Sequence, residues 1–142
     1  MKRAVLLAAL VLGACGDDGS AMPDAATIDS AVPVTPRETI MSTMPLQVGE
    51  LVEGTMTGGT DPADIAVITL SAPTPTMGWN IHGHANGGTQ VIFEEHMKTT
   101  VAYTFDPPTQ AEWYLLVRNE GQANMDVTVK VELFGGMQWA WL

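Results

Sequence analysis

Nine residues near the C-terminus constrain the fold more than any other feature of the chain. In Met125–Leu133, Val127, Val129, Val131 and Leu133 alternate with Asp126, Thr128, Lys130 and Glu132. Side chains of a strand point alternately to opposite faces, so this period of two describes one dry and one wet face of an antiparallel sheet. The same pattern recurs in Thr100–Phe105, with Val101, Tyr103 and Phe105 on one side. Residues 113–118 are more apolar, with Trp113, Leu115 and Val117 toward one face, and read as a central strand. Residues 64–70 are apolar and β-branched, and Trp79, Ile81 and Gly83 face away from Asn80, His82 and His84. Residues 48–56 and 90–93 complete about seven strands.

The connections carry turn chemistry. Gly58-Gly59-Thr60-Asp61-Pro62, Ala85-Asn86-Gly87-Gly88, Asp106-Pro107-Pro108 and Asn119-Glu120-Gly121 separate the strands. Short strands with frequent turns predict one all-β antiparallel sandwich of seven or eight strands over residues 45–142. Leu51, Ile65, Val67, Ile68, Ile81, Ile92, Phe105, Trp113 and Leu133 belong to the candidate core. Each buried side chain of this kind contributes about 2 kcal/mol, so a set of this size supports a core without disulfides.

The first fifteen residues are of another kind. Lys2 and Arg3 precede an apolar run from Ala4 to Leu12, which ends in Gly13-Ala14-Cys15. That order predicts a cleaved signal peptide over residues 1–14. The run is about half the ~20 residues a membrane-crossing helix needs. Leu12-Gly13-Ala14-Cys15 resembles the bacterial lipobox, and Cys15 is the single cysteine of the chain. The resemblance implies a diacylglyceryl group on the Cys15 thiol, cleavage before it, and acylation of the new N-terminus. It also implies stable anchorage, since several acyl chains exceed the marginal binding of one. Residue 16 is Gly rather than the Asp of inner-membrane lipoproteins in enteric bacteria, which points to the outer membrane.

Between anchor and sandwich, residues 15–44 mix Asp17, Asp18, Asp24 and Asp29 with Gly, Ser, Ala, Thr and three prolines. So little apolar surface cannot offset ordering entropy, and a flexible tether is expected. Ile28, Val32, Val34, Ile40 and Met41 leave room within it for a short docking strand.

Charge narrows the partners. The chain has a formal net charge of −10, and without Lys2 and Arg3 it holds 4 basic against 16 acidic side chains, net −12. Such a surface repels phosphate backbones, so nucleic acid is not an expected partner. It also disfavours anionic lipid except through the anchor.

Residues 99–134, with the run EWYLLVRNEGQANMDVTVKVELF, resemble the end of GOLD domains, the β-sandwiches of secretory-pathway cargo receptors. Phe105, Trp113, Tyr114, Val117, Asn119 and 127–133 carry that match. ELVEGTMTGGTDPADIAVITLSAP resembles the opening of bacterial pre-peptidase C-terminal domains, another small sandwich. Both resemblances imply a sandwich that binds or accompanies other molecules rather than catalysing a reaction.

Candidate chemistry is sparse. His82 and His84 are two apart and share a strand face, so two imidazoles are placed to ligate one Zn²⁺ or Cu²⁺. If residues 85–88 turn the hairpin, Thr89 faces His84, Val91 faces His82 and Phe93 faces Asn80. Glu94, Glu95 and His96 then lie farther on, His96 beyond Gly78. The competing reading makes these histidines exposed polar residues beside a glycine turn. Asp61 and Asp64 lack the ligand density of a calcium loop and read as an acidic turn. The methionines are scattered, as core filling requires. Trp139 and Trp141 share a face after Gly135-Gly136 and are candidates for a last strand, a partner contact or a lipid-interface contact. Gly-x-Ser-x-Gly, His-Glu-x-x-His and phosphate-loop signatures are absent from the sequence. No cofactor beyond the lipid is expected. The expectation is a non-catalytic envelope module with a protein or glycan partner, and the alternative is a metal-binding accessory protein.

Overall fold

The computed structural model describes residues 35–59, 61–85 and 88–142. Cys15, the signal peptide and most of the expected tether lie outside the described residues.

Among the described residues nine strands form two antiparallel sheets. They are β1 (Glu38–Leu46), β2 (Leu51–Gly58), β3 (Ala66–Ser71), β4 (Met77–Ala85), β5 (Gly88–Lys98), β6 (Thr100–Phe105), β7 (Ala111–Asn119), β8 (Met125–Leu133) and β9 (Gln138–Trp141). One sheet has the order β1-β8-β3-β6 and the other β5-β4-β7-β2-β9. β8, with the clearest alternation, and β7 sit inside their sheets, while β6 lies at an edge. In β8, Val131 opposes both Ile40 and Ile68. In β7, Leu115 opposes Ile81 on one side and Gly54 on the other. The core lies between the sheets, where Phe105 meets Trp113 at 5.7 Å and Trp79 meets Tyr103 at 5.4 Å, both edge to face. The sandwich expected from alternation is therefore present, and β7 is central.

Three details depart from the expectation. Residues 38–44, placed in the tether with room for a short docking strand at Ile40 and Met41, belong to the nine-residue β1, which pairs with β8 along its whole length. Their Thr, Ser and Pro content hides a real alternation of Ile40, Ser42, Met44 and Leu46, and Pro45 is tolerated because β1 is an edge strand. Ile92 and Leu51 are exposed rather than in the core. In β5 it is Phe93, one residue on, that packs against the core, since a shift of one residue swaps faces. Val67 and Ile65 are half-buried. In their place Met56, Met77, Met125 and Met137 are buried, so flexible thioethers fill the gaps left by the aromatic rings.

Two polar side chains fasten the ends. Asn119, fully buried, donates to the carbonyls of Leu46 (3.2 Å) and Ala123 (2.8 Å) and accepts from Gly121 N–H (2.9 Å). Asp64, also buried, accepts from Gly59 N–H at 2.9 Å and Gly136 N–H at 2.6 Å. It ties the β2–β3 connection to the glycines before β9. Asp61 accepts from Ala63 N–H, as an acidic turn would.

Candidate functional site

The outer face of the five-stranded sheet carries a stack of rings. In the β4–β7 register His82 lies directly opposite Tyr114. Their rings are parallel to within 13° with centroids 5.2 Å apart. His84 meets Tyr114 edge-on at 4.7 Å and His82 at 5.2 Å. His82 is only 5% exposed although it points away from the core, because Tyr114 and its polar neighbours cover it. The reading of both histidines as exposed polar residues beside a turn holds for His84 and fails for His82. Its Nδ1 lies 2.8 Å from Asn80 Oδ1, and its Nε2 lies 3.5 Å from Glu53 Oε1 on β2. Burial lowers its pKa below 6.5; the Glu53 carboxylate opposes that shift and His84 adds to it. His82 is thus held neutral near pH 7, with Nδ1–H donated to Asn80.

The tail of the stack opens into a cleft of about 220 Å³ at the end of β4, β5 and β7. Its lining includes His84, Gln90, Thr109, Glu112, Trp113 and Tyr114. Tyr114 O–H donates to Glu112 Oε1, and that bond raises the phenol pKa above 10.0. Gly83 forms part of the floor. A Cβ there would stand 2.8 Å from Trp113 Cζ3, so the indole closes down on the glycine. Trp113 Nε1–H is donated to Thr109 C=O at 3.3 Å.

The acidic and histidine residues after the hairpin do not join this site. The β4–β5 register shifts between Ile81 and His82, so Phe93 faces Ile81 and Glu94 faces Asn80. Val91 and Thr89 face His82 and His84 as expected. A second shift between Met77 and Trp79, with Met97 at φ 56°, marks a bulge that turns His96 elsewhere. His96 Nδ1 lies 2.7 Å from Glu120, which also accepts from Arg118 at 2.7 Å. Burial raises the Glu120 pKa, but Arg118 and His96 outweigh it and hold the carboxyl low. Glu95 accepts from Trp79 Nε1–H and Lys98. Among the described residues no three His, Cys, Asp or Glu side chains converge on a metal-sized point.

Trp139 and Trp141 lie on β9, which pairs with β2 at the sheet edge. Their rings meet perpendicularly at 5.0 Å. Trp139 covers Gly54, where any side chain would collide with the indole. Trp141 is 37% exposed and Leu142 75%. Trp139 thus packs against its own sandwich, while Trp141 keeps an exposed face. Sequence reasoning did not single out Tyr114, Glu112 and Gln90 as one site. The period-two face shared by Tyr114 and Glu112 was visible, but only the β4–β7 register brings His82 onto Tyr114.

No protein-family model matches the chain, and no curated protein matches it in sequence. Among solved structures the sandwich is similar to the crystal structure of the Yersinia pseudotuberculosis-derived mitogen YPM, with a TM-score of 0.50 and 13% sequence identity. The alignment covers 68% of this chain and 86% of that one. At that identity the likeness establishes a shared sandwich architecture.

Proposed function

We propose that this chain is a membrane-anchored lipoprotein that presents a non-catalytic β-sandwich interaction module at the cell envelope, on the outer rather than the inner membrane. The observation that carries the anchor is the position of the only cysteine, at the end of a short apolar run and after two small residues. A lone thiol in an exported chain has no disulfide partner, and lipid modification accounts for it.

The cleft at the end of β4, β5 and β7 supports the interaction half. It combines ring carbons with an amide, a carboxylate and an imidazole, as small binding sites do. No Ser, Cys or Lys is among its lining residues. The nearest carboxylate, Glu112, is engaged by the Tyr114 hydroxyl. These features favour recognition over nucleophilic chemistry.

The anchor is tested by membrane fractionation of native cells with mass spectrometry of the N-terminal peptide. The wild type is expected in the membrane fraction with a lipid on Cys15, and Cys15→Ser in the soluble fraction. An intact Met1 or a free Cys15 thiol would overturn the anchor. The contact surface is tested with a photo-reactive side chain in the native envelope. Placed at Gln90 it should capture a component that the same group at Thr39, exposed on the other sheet, does not. Equal capture at both positions, or none, removes the assignment.

A further inference from the structure

We infer that the cleft between His84, Gln90, Glu112, Trp113 and Tyr114 binds a neutral sugar ring of an envelope glycan. This rests on the reading of the chain as an envelope interaction module and names its ligand.

The chemistry of the lining selects the ligand class. A pyranose has a flat face of C–H groups and a rim of hydroxyls that both donate and accept. The cleft has matching parts. Ring carbons of Tyr114 and His84 supply apolar surface on the outer face, and the edge of the Trp113 indole, largely buried, closes the floor at Gly83. The Gln90 amide both donates and accepts, and the Glu112 carboxylate accepts from hydroxyls. A purely apolar ligand would strip Gln90 and Glu112 of water without replacing those hydrogen bonds. An anionic ligand would meet Glu112 and a domain in which residues 35–142 hold 12 acidic against 4 basic side chains, net −8. The volume, about 220 Å³, suits one ring rather than a folded peptide segment.

Rigidity favours the same reading. Tyr114 is stacked on His82, His82 is fixed by Asn80, and His84 abuts both rings. The indole of Trp113 is seated on Gly83 and fastened to Thr109. A platform already ordered loses little entropy when a weak ligand settles on it. It also gives buried, outward-pointing His82 a role as the positioning residue beneath Tyr114.

Saturation-transfer NMR on the full-length chain, in a zwitterionic detergent without sugar headgroups, tests the proposal. The probes are glucose, galactose, mannose and N-acetylglucosamine with their β-linked disaccharides, each up to about 20 mM, the range of weak single-site binding. Ring protons of at least one probe should receive saturation. Tyr114→Ala should weaken that binding by about tenfold or more. Gln90→Ala, at an exposed position, should weaken it severalfold while the melting temperature stays unchanged. The proposal fails if no probe is bound, if Gln90→Ala and Tyr114→Ala bind as the wild type does, or if tetramethylammonium binds in preference to every sugar. The titration does not depend on the Cys15 lipid and the fractionation does not depend on the cleft, so either reading can fail alone.

Discussion

His82 shows how a single side chain can have a role that its position in a strand does not announce. Alternation places it on the wet face, and there it would ordinarily titrate near 6.5. The structure buries it under Tyr114 and lowers its pKa. The consequence for stability has a definite sign. Between the lowered folded value and 6.5 the unfolded chain binds more protons at this site than the folded one. Stability is therefore full above about pH 6.5 and declines as the pH falls below it. The depressed carboxyls of Glu95 and Glu120 act in a separate window, since their stabilisation is lost only as the pH drops below about 4.5. Chemical denaturation between pH 7.5 and pH 5 should show a slope in the wild type that His82→Gln flattens. Equal slopes in the two proteins would mean that the imidazole is as free to protonate in the folded state as in the unfolded one.

At the scale of elements, β9 is the piece whose worth is most open to direct measurement. It is four residues long and sits on an edge, yet it brings with it Met137, fully buried, and Trp139, which seals Gly54. Losing two such side chains costs about 4 kcal/mol or more, a large share of the 5–15 kcal/mol that a domain of this size holds. Deleting residues 137–142 should lower the melting temperature by about 20 °C. An unchanged melting temperature would free the tryptophans for a partner or a lipid interface instead. Both sides of that alternative were readable in the sequence, because two Trp at spacing two after a Gly-Gly must share a face of an extended segment. What decides between them is the partner strand. Gly54 reads in sequence only as a weak point in β2, and its meaning as a seat for an indole arises from the β2–β9 register. The same holds for the site. Spacing put His82 and His84 on one face, and hairpin logic placed Thr89 and Val91 beside them. The two bulges that separate His96 from His82 leave no compositional trace, and Tyr114 is 32 residues away from its stacking partner His82. Alternation sets which face a residue occupies, and long-range pairing sets its company. β1 is legible only in part, as the docking strand for which Ile40 and Met41 leave room, and for a related reason. An edge strand with one half-buried face needs few apolar residues, so its composition matches that of a tether.

The whole molecule is defined by an imbalance of charge that the fold does not neutralise. All four basic side chains of residues 35–142 are paired with carboxylates, Arg37 with Glu38, Lys98 with Glu95, Arg118 with Glu120 and Lys130 with Glu132. Each pair joins residues one to three apart in sequence, so the same attraction persists in the unfolded chain and adds little to the difference between the states. The pairs are also partly exposed, and such pairs contribute about 0–1 kcal/mol each. The surplus carboxylates behave differently. Folding crowds them onto one small surface, and the unfolded chain spreads them out, so their mutual repulsion opposes folding. Salt acts on both effects. It weakens four local pairs that scarcely favour the folded state, and it screens a repulsion that opposes it. The second effect should prevail. Raising NaCl from about 10 mM to about 500 mM shortens the screening length from roughly 30 Å to a few ångströms. The melting temperature should rise by several degrees over that range, with most of the gain below about 100 mM, as the screening length falls from roughly 30 Å to about 10 Å. Sodium chloride is the salt of choice because strongly excluded anions such as sulfate stabilise any folded protein. A melting temperature that falls with added NaCl would mean that the four ion pairs outweigh the repulsion, and that the acidic surface is balanced locally rather than tolerated.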